Sequence, residues 1–135
     1  MKKPLLFLLA EDDADDAFLI GHILEKMSAP YVYKRFRDGQ ELLDYLGSSE
    51  ATVYDIGVVL LDVNMPRKGG LETLAAIREN PDLAALPVAG YSTGGGGAEL
   101  SRRFLDMGGD WFFTKPDSFD ELSASLANLL QNIST

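Results

Sequence analysis

Five apolar runs bounded by turn residues alternate with five stretches of helical spacing, and this alternation limits the possible folds more than any other feature of the chain. The runs are LLFLLA (5–10), YVYKRF (31–36), DIGVVLLDV (55–63), PVAGYS (87–92) and DWFFT (110–114). Those at 5–10 and 57–61 are continuous, which predicts strands buried on both faces, as in a parallel sheet covered by helices. Helical stripes follow each run: Ala17, Ile20, Leu24 and Met27; then Leu42, Leu43 and Leu46; then Leu71, Leu74 and Ala75; then Leu100, Phe104 and Met107. A fifth stripe, Phe119, Leu122, Leu126, Leu129, Leu130 and Ile133, closes the series. Strict β-α alternation implies right-handed crossovers, and hence an α/β fold with a doubly wound parallel sheet and helices on both faces.

A chain of 135 residues suits one domain with a real core. It has no cysteine, which excludes disulfides and thiolate zinc sites and mildly favours the cytoplasm. The opening MKKPLLFLLAEDD is not read as a targeting segment, because its short apolar run ends in acids rather than a small-residue cleavage site. No apolar stretch approaches the roughly 20 residues of a membrane span. A net charge of −9 argues against nucleic acid as a partner, since phosphate backbones are held by clustered Lys and Arg.

In doubly wound sheets, ligands gather at the carboxyl ends of the strands, near the point where strand order reverses. The residues expected there are Glu11 and Asp12, Arg37 and Asp38, Asp62, Ser92 and Thr93, and Lys115. Crowded carboxylates repel one another unless a cation compensates, and a hard divalent ion such as Mg2+ matches a partial cage of Glu11, Asp12 and Asp62. Asp62 ends the longest apolar run, and the turn residues of VNMPRKGG expose it as a candidate nucleophile. Attack by that carboxylate on phosphorus gives an acyl phosphate whose oxygens need neutralising, a task for Lys115, Mg2+ and the Ser92 hydroxyl.

These motifs, AEDD, LLDVNMP, YST after PVAG, and FFTKP, resemble the receiver domain of two-component response regulators over essentially the whole chain. The opening EDDADD is also similar to the small regulators that partner bacterial phytochromes. The resemblance implies a flavodoxin-like, chemotaxis-type (βα)5 fold with strand order 2-1-3-4-5, Mg2+ dependence, and phosphorylation of Asp62 by a partner histidine kinase or phosphotransfer protein. It makes Glu11 and Asp12 the metal-binding acid pair, with Asp62, and Asn64 the residue whose backbone carbonyl completes the metal site. Ser92 becomes the switch hydroxyl and Phe112 the switch aromatic. Lys115 becomes the phosphate-contacting lysine, with a cis bond to Pro116 behind it. Residues 1–135 are expected to be a single stand-alone receiver without an output domain, with a possible homodimer through the fourth helix, fifth strand and fifth helix.

Simpler readings suit other residues. Asp13 reads as a helix N-cap, and Asp15 and Asp16 as solvated acids of the first turn. Trp111 reads as a packed or partner-facing side chain and His22 as an ordinary helix residue. GGGG at 94–97 departs from the usual pattern and predicts a mobile loop with a late or frayed fourth helix, since each helical glycine costs about 1 kcal/mol relative to Ala. Gly69 stands where the family usually has an acid. Two other functions remain open at this stage. One is a phosphorylation-independent interaction module. The other is an aspartyl phosphatase or phosphomutase, disfavoured because those enzymes carry an acid two residues after the nucleophile, where this chain has Asn64.

Overall fold

The computed structural model describes residues 5–27, 31–48, 55–65, 68–93 and 97–134. The strands are β1 (Leu5–Ala10), β2 (Tyr31–Phe36), β3 (Ile56–Asp62), β4 (Val88–Ser92) and β5 (Trp111–Thr114). The helices are α1 (Ala14–Lys26), α2 (Gly39–Leu46), α3 (Gly70–Glu79), α4 (Gly97–Asp106) and α5 (Phe119–Ser134). All pairings are parallel, in the order β2-β1-β3-β4-β5, as expected from the alternation and the resemblance.

Period-2 alternation sends the two halves of each central strand into two separate cores. Leu8 and Ala10 of β1 join Val59 and Leu61 of β3 with Leu42, Leu74, Ile77 and Phe104 from α2, α3 and α4. Phe7 and Leu9 join Val58 and Leu60 on the other face, with Ile20, Ile23, Leu122, Leu126 and Leu129 from α1 and α5. All seven residues of β3 are buried, which accounts for its uninterrupted apolar run.

The helical stripes pack on the sheet as their spacing predicts, with differences in three helices. Ile23 of α1 is buried although it was not part of the stripe. Ile77 and Thr73 are buried in α3 although neither was part of the stripe, while Ala75 is only half-buried. Phe119 is exposed, because it opens α5 one turn ahead of Leu122, where the helix first packs on the sheet. The Lys115–Pro116 bond is trans, the form favoured even before proline by about 0.5–1 kcal/mol. Gly97 is the first residue of α4, and the rest of the predicted glycine loop, 94–96, lies outside the described residues. Gly69 is the N-cap of α3 without a side-chain cap, and its carbonyl accepts from both the backbone N–H and the Oγ1 of Thr73.

One aromatic ring ties α4 to the sheet. Phe104 is fully buried, and its ring lies so close to Gly90 of β4 that a Cβ there would fall 2.6 Å from it. On its other side the ring abuts Gly109, where a Cβ would fall 2.1 Å away. The ring is wedged between two bare backbones and has no room to give. Gly90→Ala is therefore expected to destabilise the fold by about 1–3 kcal/mol through overpacking. Chemical denaturation should show a smaller loss when the same substitution is made in a Phe104→Leu background.

Candidate functional site

The site forms where β1, β3, β4 and β5 end. β1 is prolonged by one residue, since the Glu11 backbone N–H donates to the Phe36 carbonyl at 2.9 Å. Arg35 of β2 reaches across and donates through Nε to the Glu11 carbonyl and through Nη2 to the Asp12 carbonyl, both at 3.1 Å. These bonds hold the backbone of the acid pair while leaving its carboxylates for other partners. Asp13 then caps α1, accepting from the N–H groups of Asp15 at 2.9 Å and Asp16 at 3.1 Å, as its sequence position predicts.

Glu11 is buried and Asp12 exposed, so the two acids have different environments. Both carboxylate oxygens of Glu11 are engaged: Oε1 accepts from the Tyr91 hydroxyl and Oε2 from the Asp13 N–H. Asp62, the last residue of β3, is also buried, and its Oδ1 accepts from the Asn64 N–H at 2.9 Å. One carboxylate oxygen from each of Glu11, Asp12 and Asp62 lies within 4.8 Å of the others. Such an all-oxygen, like-charged donor set fits a hard divalent cation.

Burial pushes the Glu11 carboxyl up to about 8, against the Tyr91 hydrogen bond, with the neighbouring Asp62 charge adding to the rise. Asp62 is likewise raised, chiefly by burial and against the Asn64 N–H bond. The Tyr91 phenol is raised by burial and by the Glu11 charge, so it stays a proton donor.

Ser92 ends β4 fully buried, and among the described residues its Oγ has no hydrogen-bond partner. A buried hydroxyl without a partner costs free energy, so an acceptor for the Ser92 proton would be stabilising. The backbone N–H of Lys115 donates to the Ser92 carbonyl at 2.8 Å, extending the β4–β5 ladder past Thr114. The Lys115 ammonium is ion-paired with Asp16 of α1, and among the described residues it forms no such pair with Asp62. Asp16 is thus not the solvated acid its place in the first turn suggested. Phe112 packs with its ring 5.4 Å from Phe104, while its neighbour Trp111 packs into the opposite core, as strand alternation requires.

The expected rim is brought together from β1, β3, β4 and β5 but not from β2. Arg37 is exposed and Asp38 is the N-cap of α2, accepting from the Glu41 N–H at 2.9 Å, so the residues after β2 serve that helix. Thr93 is exposed. Tyr91, Arg35 and Asp16 belong to the site although sequence reasoning passed over them. Tyr91 carried the only readable signal: a phenol in a buried strand needs a hydrogen-bond partner.

The order of the strands defines a flavodoxin-like domain, and the acidic cluster at their carboxyl ends fits a divalent cation beside a buried carboxylate. Residues 7–127 match the response regulator receiver domain, and the chain belongs to that family, whose members act in two-component signalling. Among relatives, the probable methanogenesis regulatory protein FilR2 of Methanothrix harundinacea is 30% identical over 93% of this chain and 81% of its own. Response regulator Rcp1 of Synechocystis sp. is 34% identical over 67% of this chain and 63% of its own. A crystal structure of the Mn(2+)-bound form of Rcp1 superposes with a TM-score of 0.78 at 26% identity, covering 93% of this chain and 91% of that one. That of the phosphorylated cyanobacterial phytochrome response regulator RcpA gives 0.83 at 26%, covering 97% and 94%.

The raised carboxyls set a pH dependence of stability. Glu11 titrates near 4.5 when unfolded and near 8 when folded, so between those values the folded chain holds the extra proton. Stability of the metal-free protein is expected to be full at the acid end of that window and to fall as pH rises from about 5 through about 8. Thermal melts in chelator should show this decline and its flattening in Glu11→Gln. A divalent cation should restore the melting temperature at the alkaline end.

Proposed function

We propose that Asp62 accepts a phosphoryl group from a partner histidine kinase or phosphotransfer protein, and that the chain is a phosphorylation-controlled switch for protein-protein interactions. The observation that carries this reading is the buried Asp62 carboxylate, clustered with Glu11 and Asp12 and neighboured along the strand ends by the Ser92 hydroxyl, which has no partner among the described residues. In the reaction, an Asp62 carboxylate oxygen attacks phosphorus, the bond from phosphorus to the donor histidine nitrogen breaks, and the histidine leaves with its electron pair.

Glu11, Asp12 and Asp62, with the backbone carbonyl of Asn64, are the residues that would hold Mg2+. The bound ion supplies positive charge to the transferring phosphoryl oxygens. The Mn(2+)-bound form of Rcp1 and the phosphorylated form of RcpA support both halves of this assignment. Lys115 offers its ammonium to one phosphoryl oxygen, and Ser92 donates its hydroxyl proton to another, gaining the partner it lacks. Phe112, packed against Phe104 of α4, then takes up the space that Ser92 vacates. Two states of the Ser92 side chain, α4 and β5 differ in population as the phosphoryl contacts bias them.

On this reading residues 1–135 form one receiver domain acting in the cytoplasm. Its chemistry is limited to gain and loss of its own phosphoryl group, and nucleic acid and membrane are not its partners. A homodimer through α4, β5 and α5 is one candidate output.

Intact-protein mass after incubation with phosphoramidate or acetyl phosphate tests the assignment. Wild type is expected to gain one phosphoryl mass with Mg2+ and none with chelator, and Asp62→Asn none in either condition. Labelling of Asp62→Asn at the wild-type rate sinks the assignment. No gain in wild type under any condition leaves the phosphorylation-independent interaction module.

A further inference from the structure

The Lys115–Asp16 ion pair crosses from the loop after β5 to the first turn of α1, and nothing in the sequence pattern announces it. Both partners are anchored by backbone hydrogen bonds. Asp16 sits three residues after the N-cap Asp13, and its own N–H is tied to Asp13 Oδ1, so its carboxylate stands in the favourable field of the helix N-terminus. Lys115 is held at its backbone by the 2.8 Å bond to Ser92, which leaves only the side chain free to turn. Side-chain exposures of 13% for Lys115 and 26% for Asp16 place the pair in a shielded setting, where screening by salt is reduced. Beside it lies a cleft of about 250 Å³, lined by Asp16, Leu19, Thr93, Lys115, Pro116 and Leu122, which gives the lysine stem room to swing.

We infer that Asp16 is a positioning residue that holds Lys115 away from Asp62 in the resting chain and competes with the phosphoryl group for its ammonium. This rests on the reading of Asp62 as phosphoacceptor. Phosphorylation then requires an exchange of partners: the Lys115 ammonium leaves one carboxylate and meets a phosphoryl oxygen carrying more charge. Asp16 sets how readily that exchange occurs. The exchange also frees a carboxylate on α1, so phosphorylation loosens the tie between α1 and the segment leading into α5, on the side of the sheet opposite α4.

The test uses the full chain as wild type, Asp16→Asn, Asp16→Ser and Asp15→Asn. The last removes an equal charge from an exposed neighbour in the same turn and controls for net charge. Two rates are measured: acetylation of Lys115 by a soluble acylating reagent, read by peptide mass, and phosphoryl gain from phosphoramidate with Mg2+, read by intact mass. Both Asp16 variants are expected to raise both rates several-fold, with Asp15→Asn unchanged, and to have no effect on phosphoryl gain in a Lys115→Met background.

Lys115 acetylation at wild-type rate in both Asp16 variants overturns the inference. So does an Asp16 effect on phosphoryl gain that persists without Lys115 or is matched by Asp15→Asn. Phosphoryl gain at equal rates in wild type and Asp16→Asn overturns the inference alone. No gain in any chain overturns the Asp62 reading and this inference with it.

Discussion

The site depends on keeping two carboxylates, Glu11 and Asp62, buried side by side at the ends of adjacent strands. Burial disfavours the charged form of each and proximity disfavours both being charged, so the rest of the fold must offset a local penalty. It does so with groups that cannot move: the Tyr91 hydroxyl and Asp13 N–H on Glu11, the Asn64 N–H on Asp62, and Arg35 on the carbonyls beneath the acid pair. None of these donors carries a full charge to the carboxylates themselves. What remains uncompensated is negative charge, which is why a divalent cation suits the cluster better than another protein side chain.

That arrangement needs a rigid platform, and the double core supplies one. β1 and β3 are packed on both faces, so the residues that follow them inherit fixed directions. β5 is only partly buried along its length, and at this edge Ser92, ending β4, has no hydrogen-bond partner for its hydroxyl among the described residues, while Lys115, just past β5, is paired with Asp16. Phe104, wedged between Gly90 and Gly109 and touching Phe112, is the solid connection between that edge and α4.

How much of this was legible in the sequence depended on the range of the interaction. Strands and helices follow from local periodicity, so all ten elements were readable, and the ends of β1, β3, β4 and β5 pointed to Glu11, Asp62, Ser92 and Lys115. The strand-end rule overreached at β2, because a cap on the next helix uses the same residue type as a ligand, and Asp38 took the cap. Tyr91, Arg35 and Asp16 were missed for a different reason. Each acts on a residue at least 23 positions away, across a strand pairing or a helix crossing whose register no local pattern encodes. Phe119 shows the converse error, a stripe that begins in sequence one turn before the helix meets the sheet.

The contact between Tyr91 and Glu11 bears on how any switch here must move. Tyr91 and Ser92 are neighbours on β4 and face opposite sides of the sheet. Tyr91 is fixed twice, by its hydroxyl on Glu11 of β1 and by its ring, stacked 5.6 Å from Phe113 of β5. Its carbonyl also accepts from the Val63 N–H at 3.0 Å, joining it to the backbone beyond Asp62. A displacement of β4 as a body would break all three contacts and strip Glu11 of its donor at the moment the acidic cluster must hold its geometry. On the proposed reading, rearrangement around Ser92 would therefore be confined to its side chain and the chain that follows, while Tyr91 keeps β4 registered on the acids.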